Sequence, residues 1–138
     1  MKNELIKVFS DGATLGRNGK LGTVKEVGLG VYIPALNFGD GKKVNGISNN
    51  EAEFKALIWA MEIAIEKKLD RVGFYMDSKI VVNRANGAKP RAKFKNERMD
   101  AFQDKVFELR KNFKEIYFNW IPREQNQTAD YYSTIDFK

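Results

Sequence analysis

The stretch RVGFYMDSKIVVNRANG, residues 71–87, decides the fold class. Its first half alternates apolar residues in the pattern of a buried β-strand: Val72, Phe74 and Met76. The strand pattern stops at Asp77, and a helical pattern follows as far as the stop signal Asn86-Gly87. A strand that passes directly into a helix indicates an α/β fold, and it places Asp77 at the carboxyl end of a strand, where open α/β sheets bind ligands. The alternative is that Asp77 only caps that helix.

Upstream of this unit the sequence predicts an antiparallel meander of three strands. β-Favouring residues at 5–10 stop at the turn signal Asp11-Gly12, and a second strand over residues 27–33 is ended by Pro34. A third strand lies within residues 36–47, which are interrupted by glycines.

The helix predicted over residues 50–68 contains one carboxylate in an unusual place. Ser48 or Asn49 can cap its start. The apolar residues recur at three- and four-residue spacing: Leu57, Ala60, Met61, Ala64 and Ile65. Glu53 falls inside this apolar stripe, whereas Glu51 falls on the polar face. A charge on a core face is costly unless it is compensated, so Glu53 requires either a cation or, as the alternative, backbone amides at the helix start.

Downstream, the chain continues with a helix, a strand and a short terminal helix. The helix follows a basic run and has regularly spaced apolar residues: Met99, Phe102, Val106, Leu109 and Phe113. A strand over residues 115–121 is closed by Pro122, and a polar turn leads into the last helix, which bears Asp130. Only residues 131–138 follow, so this helix is expected to be short and to anchor Asp130 weakly.

Composition limits the function. The 138 residues, 43% of them hydrophobic, fit one domain over 1–138, and 24 Lys plus Arg against 18 Asp plus Glu leave a net charge of +6. That charge favours a polyanionic partner, although simple solubility also explains it. The absence of Cys and His excludes disulfides, thiolate sites and imidazole chemistry, so catalysis must use carboxylates, Lys, Tyr, hydroxyls or metal-bound water. The N-terminus lacks a signal sequence and no stretch is long enough to span a membrane, so we expect a cytoplasmic protein without a membrane partner.

Five segments together carry a family resemblance: FSDGATLGRNGKLG, SNNEAEFKALIWAMEIA, FYMDSKIVVNRANG, FKNERM and IPREQNQTADYYS. In their order and spacing the chain resembles a type 1 ribonuclease H, in the form found in archaea, some bacteria and plants. The resemblance implies an α/β, ribonuclease H-like fold: a five-stranded mixed sheet, with three antiparallel strands and then two parallel to the first, and helices on both faces. It also implies a monomer that cuts the RNA strand of RNA/DNA hybrids, with double-stranded RNA as a second candidate partner.

The family's acidic set corresponds to four residues that also stand out by their positions at the ends of predicted elements: Asp11, Glu53, Asp77 and Asp130. The resemblance implies that they are catalytic and hold two Mg²⁺ or Mn²⁺ ions, with hydrolysis leaving 3′-hydroxyl and 5′-phosphate ends. Carboxylates suit such hard cations, and an uncompensated acidic pocket would repel phosphate.

The resemblance also implies a set of substrate-binding residues: Gly12, Asn18, Asn49, Asn50, Ser78 and Lys79. Amide groups can read the 2′-hydroxyls that distinguish RNA from DNA, although capping and turn formation also explain the asparagines. Arg84 either contacts phosphate or lies on a solvated helix face. The basic run is expected to hold the backbone of the DNA strand: Lys89, Arg91, Lys93 and Lys95.

The chain departs from the better-known bacterial form, which has a His in the loop before its last Asp. Here that loop reads PREQNQTAD, and Arg123 or Glu124 is the candidate replacement. Two other functions stay open: a catalytically weak or inactive module that binds hybrid or double-stranded RNA, and a DNA nuclease that uses the same acidic pocket.

Overall fold

The computed structural model describes residues 4–14, 25–88 and 97–135. Within these parts of the chain, five strands and four α-helices form the fold, and two short 3-10 turns, Pro34–Leu36 and Arg123–Gln125, connect them. The strands are β1 (Ile6–Thr14), β2 (Lys25–Ile33), β3 (Phe38–Gly46), β4 (Arg71–Met76) and β5 (Glu115–Trp120). The helices are α1 (Asn49–Glu66), α2 (Lys79–Ala85), α3 (Glu97–Arg110) and α4 (Gln127–Ser133).

The strands form one mixed sheet in the order β3-β2-β1-β4-β5. β1, β2 and β3 are successively antiparallel, whereas β4 is parallel to β1, and β5 is parallel to β4. This arrangement confirms the mixed sheet expected from the sequence, and it brings the carboxyl ends of β1 and β4 to the same edge.

The first strand is longer than the sequence predicted. The expected turn at Asp11-Gly12 is wrong, because β1 continues to Thr14 while paired with β2, from Asp11↔Gly30 to Thr14↔Val27. Its parallel pairing with β4 ends earlier, at Phe9↔Tyr75. Asp11 therefore lies inside a strand, just beyond the point where that strand has lost one neighbour.

The main core lies between the sheet and the first three helices. Fully buried side chains from both layers form it, the largest being Phe54, Phe74, Ile33, Leu57, Met61 and Met76. The fourth helix covers part of the opposite face, over β1, β2 and β3. It lies so close that a Cβ at Gly30 would overlap the backbone of Ala129 and Ser133. Helices on both faces are thus confirmed.

Two charged residues lie in different surroundings from those predicted. Glu51, assigned to the polar face of α1, is only 2% exposed, because it accepts a hydrogen bond from the backbone N–H of Ile47 and is covered by Arg98. Arg84 was expected to face solvent or to contact phosphate. Instead its side chain is buried, and its guanidinium group donates a hydrogen bond to the carboxylate of Asp100 at 2.7 Å. Both corrections have the same cause: residues of the α3 helix cover these side chains, and the periodicity of a single helix contains no information about a neighbour.

Candidate metal centre

Three carboxylates from three different elements meet at the carboxyl edge of the sheet. Asp11 from β1, Glu53 from α1 and Asp77 after β4 each offer an oxygen, and these oxygens lie within 4.8 Å of one another. Asp11 and Glu53 are each 5% exposed, and Asp77 is half-buried. The adjacent parallel strands explain the proximity of the two aspartates, and the second turn of α1 brings Glu53 to them.

Gly12 allows the helix to come this close. A Cβ at this position would overlap the backbone of Ala52 and Glu53, so no larger residue fits between β1 and α1. The backbone N–H of Gly12 also donates to the carboxylate of Glu53. Gly12 is buried. Its position supports a packing role beneath the carboxylates rather than the direct substrate contact that the resemblance implied.

Asp77 is not the cap of the following helix. The hydroxyl of Ser78 takes that role and accepts from the backbone N–H of Val81 at 3.3 Å. The N-cap interpretation of Asp77 is therefore wrong, and the carboxylate of Asp77 belongs to the acidic cluster instead.

Asn126 holds this arrangement together, and the sequence interpretation missed it. Its side-chain amide donates to the carboxylate of Asp77 at 3.1 Å and to the carbonyl of Ser10 at 2.9 Å. The residue is only 1% exposed, so the two bonds are shielded from water. Asn126 thus connects the start of α4 with the ends of β1 and β4. The available signal was its place in the polar turn PREQNQTAD, where an asparagine is also typical of a helix start.

Burial and mutual repulsion disturb the acidic groups. Burial raises the pKa of Asp11, and the negative charge of Glu53, a hydrogen bond with Asp130 and the charge of Asp77 raise it further. Burial also raises the pKa of Glu53, although its hydrogen bond with Asp11 acts in the opposite direction. When no cation compensates them, both Asp11 and Glu53 therefore hold a proton more tightly than an ordinary carboxyl group.

One buried oxygen of the cluster lacks a protein partner. Among the described residues, Oε2 of Glu53 is inaccessible to solvent and accepts no hydrogen bond. A buried carboxylate oxygen without a donor is costly. A hard divalent cation held by Glu53, Asp11 and Asp77 would satisfy it, so the donor set fits a metal ion of the Mg²⁺ type.

Asp130 lies at the edge of this cluster. It is exposed on α4, outside the group of three mutually close carboxylates, yet it forms a hydrogen bond with Asp11. The helix that carries it has seven residues, as short as expected. The structure therefore brings three of the four predicted carboxylates together and places the fourth beside them.

The other predicted substrate-binding residues that the structure describes lie at the starts of two helices. Asn49 is exposed and Asn50 half-buried at the start of α1, where Ser48 supplies the cap, so the capping alternative does not account for these two asparagines. Lys79 is exposed at the start of α2. Asn18 lies outside the described residues, as does the basic run of residues 89–95.

The two loop candidates differ in their effect on the cluster. Arg123 and Glu124 are both exposed in the turn before α4. The positive charge of Arg123 lowers the pKa of Glu53, against the larger effect of burial. Arg123 is therefore near enough to act electrostatically on the carboxylates.

No helix in the described residues is long and apolar enough to cross a membrane.

Comparison with known proteins identifies relatives over most of the chain. Residues 36–134 match the protein family described as reverse transcriptase-like. The EbsB protein of Enterococcus faecalis is 35% identical over 131 residues, which cover 91% of this chain and 89% of that protein. The bifunctional protein Rv2228c of Mycobacterium tuberculosis is 28% identical over 91% of this chain but only 33% of its own length. The chain thus spans about a third of this longer relative.

Solved structures show the same fold. Ribonuclease H1 of the archaeon Halobacterium salinarum superposes with a TM-score of 0.79 at 24% identity, covering 98% of this chain and 100% of that one. The N-terminal ribonuclease H domain of Rv2228c gives 0.71 at 26% identity, with coverage of 94% and 92%. LC11-RNase H1, from a compost metagenome, was solved in complex with an RNA/DNA hybrid and gives 0.71 at 23% identity, with coverage of 96% and 99%.

Proposed function

The chain belongs to the reverse transcriptase-like family and has a ribonuclease H fold, and on this basis we propose that it cleaves the RNA strand of RNA/DNA hybrids as a metal-dependent endoribonuclease. The observation that carries the proposal is the buried group of three carboxylates with one unsatisfied oxygen. Such a group is costly in a protein that only binds nucleic acid, because it repels phosphate and strains the fold. A structurally similar enzyme binds a hybrid, which supports the same substrate here.

The residues of the cluster have distinct parts in this reaction. Asp11, Glu53 and Asp77 would hold the first cation, and Asp130 would help to hold a second, which its hydrogen bond with Asp11 supports. Held by these residues, divalent cations would supply an activated water and stabilise the leaving 3′ oxygen, and hydrolysis would leave 3′-hydroxyl and 5′-phosphate ends. Either Mg²⁺ or Mn²⁺ suits an all-oxygen donor set. Asn126 positions the carboxylate of Asp77 through its side-chain amide.

Discrimination between RNA and DNA requires polar groups next to the carboxylates. Asn49 and Asn50 begin the helix that carries Glu53, and their amides can donate to and accept from 2′-hydroxyls and base edges. Double-stranded RNA also offers 2′-hydroxyls and is the second duplex to test. Three properties stay predictions: a single domain, a monomeric state and a cytoplasmic location. Sedimentation would test the monomeric state, and cell fractionation would test the location.

One assay separates the candidate functions. End-labelled RNA/DNA hybrid, double-stranded RNA and double-stranded DNA are incubated with the protein and Mg²⁺, Mn²⁺ or EDTA, and the product ends are mapped. We expect the RNA strand of the hybrid to be cut only with metal, and Asp11→Asn to abolish cutting. Asp104→Asn, which changes an exposed carboxylate of α3, is the matched control and should retain activity. Binding of hybrid without cutting would instead identify an inactive module, and cutting of duplex DNA would identify a DNA nuclease.

A further inference from the structure

An exposed apolar surface lies directly beside the carboxylates. Trp120, the last residue of β5, is 44% exposed, and Ile80, in the first turn of α2, is 52% exposed. The ammonium group of Lys79 lies 4.7 Å from the centre of the Trp120 ring. Trp120 and the ammonium group of Lys79 thus lie together at the end of the sheet that carries the acidic cluster, and Ile80 is the next residue of α2.

The tryptophan is fixed to the acidic site. Its indole N–H donates to the backbone carbonyl of Asp77 at 3.2 Å, so the ring is attached to the residue whose carboxylate belongs to the cluster. This hydrogen bond accounts for the orientation of the ring. It does not account for leaving nearly half of a large aromatic side chain in water, which a smaller polar residue at the same position would avoid.

We propose that Trp120 and Lys79 form a second contact site for the hybrid, next to the carboxylates, which binds the sugar-phosphate backbone of a nucleotide adjacent to the cleavage point. This inference rests on the proposed function. Lys79 pairs with a phosphate, and the exposed apolar surface of the Trp120 ring packs against the sugar. The sugar is the partner because the faces of the bases are already stacked inside a duplex and are not accessible to the ring.

The chain offers a direct optical test, because it contains two tryptophans. Trp59→Phe leaves Trp120 as the only tryptophan, and adding Asp11→Asn prevents cutting during a titration with RNA/DNA hybrid in Mg²⁺. Hybrid binding is measured by anisotropy of a labelled strand, and access to Trp120 by acrylamide quenching. We expect the quenching constant to fall by about half when the hybrid is bound, because the sugar covers the exposed part of the ring. An unchanged constant in a saturated complex would overturn the inference.

Steady-state kinetics distinguish contact from support of the fold. Trp120→Ala should raise KM about five- to tenfold while kcat changes less than about twofold, because it removes apolar contact area of the size that aromatic packing supplies. Trp120→Phe loses the hydrogen bond to Asp77 but retains the ring, so its KM should stay near that of the unmodified protein. If both variants lost kcat equally, Trp120 would only support Asp77, and the contact site would be refuted.

A control for surface aromatics is available on the same strand. Tyr117 is 48% exposed but belongs to the alternate face of β5, so Tyr117→Ala should leave KM unchanged. Lys79→Ala should lower the slope of log KM against log salt concentration by about one, because one phosphate contact fewer releases about one counterion fewer. If the unmodified protein failed to bind or cut the hybrid, both the proposed function and the inference would be refuted. If the unmodified protein cut the hybrid and Trp120→Ala left KM unchanged, only the inference would be refuted.

Discussion

Replacing Asp11 by asparagine should inactivate the enzyme and, without metal, make the fold more stable. The amide has nearly the same size as the carboxylate and supplies N–H donors for Glu53 and Asp130, the two carboxylates that hydrogen bond to Asp11. A core substitution that removes an essential group normally destabilises a protein. The opposite sign is expected here because the native group is a buried carboxyl whose ionised form is disfavoured by burial and by the neighbouring negative charges.

The size of the effect follows from the geometry. Two unit charges 4.8 Å apart, the largest separation within the cluster, repel by about 3.5 kcal/mol at an effective dielectric constant near 20. Because the pKa values of Asp11 and Glu53 are raised, protonation relieves part of this repulsion, so we expect a net gain of about 1–3 kcal/mol in the free energy of unfolding. For a domain of this length, that gain corresponds to a rise in Tm of about 4–10 °C.

The effect should depend on pH in a defined direction. The raised pKa of Asp11 and of Glu53 means that the folded protein binds protons more tightly than the unfolded chain. Stability of the metal-free protein should therefore be greatest below the ordinary carboxylate pKa, near about 4, and should fall as the pH rises through the raised values. The advantage of Asp11→Asn should accordingly be small in acid and grow towards alkaline pH.

Thermal unfolding in EDTA and in Mg²⁺, followed by circular dichroism over a series of pH values, tests this reasoning. Mg²⁺ should stabilise the unmodified protein and stabilise Asp11→Asn much less, while Asp104→Asn should follow the unmodified protein throughout. If Asp11→Asn were as stable as the unmodified protein, or less stable, in EDTA at every pH, the account of a strained acidic cluster would be refuted.

Four further substitutions test parts of the site. Asn126→Ala removes the amide that holds Asp77, and we expect Mg²⁺ affinity, measured by calorimetry, to fall about tenfold or more; unchanged affinity would exclude the positioning role. Arg123→Ala removes a positive charge that lowers the pKa of Glu53, so the acid limb of the pH–rate profile should move to higher pH. Glu124→Ala should leave that limb in place. The reverse result would select Glu124 as the loop residue. Gly12→Ala adds a methyl group that would overlap the backbone of α1. We expect urea denaturation to show a loss of about 3 kcal/mol or more in the free energy of unfolding, and an unchanged midpoint would contradict this.

The order of the elements could be predicted from the sequence because it depends on local pattern. Alternation of apolar residues identified β4 with the bounds that the structure shows, and the helical spacing identified α1 to within two residues at each end. Ser48 was one of two predicted caps and is the one used. Glu53 stood out because a charge inside an apolar stripe is already visible in the periodicity of one helix.

What the sequence could not decide was the surroundings that distant segments create. Glu51 and Arg84 looked solvated until residues of the α3 helix covered them, and β1 runs past its predicted end because β2 continues to pair with it. Asn126 looked like one polar residue in a turn, yet it is 49 residues away from the aspartate to which it donates.

The sequence by itself therefore determined the α/β order and the carboxylates that are candidates for the site. Only the tertiary structure decided that Asp11, Glu53 and Asp77 share one buried pocket and that Trp120 lies at its edge. The physical reason is that periodicity and capping act over a few residues, whereas burial, raised pKa values and metal-ligand geometry depend on groups that only the folded chain brings within a few ångströms of one another.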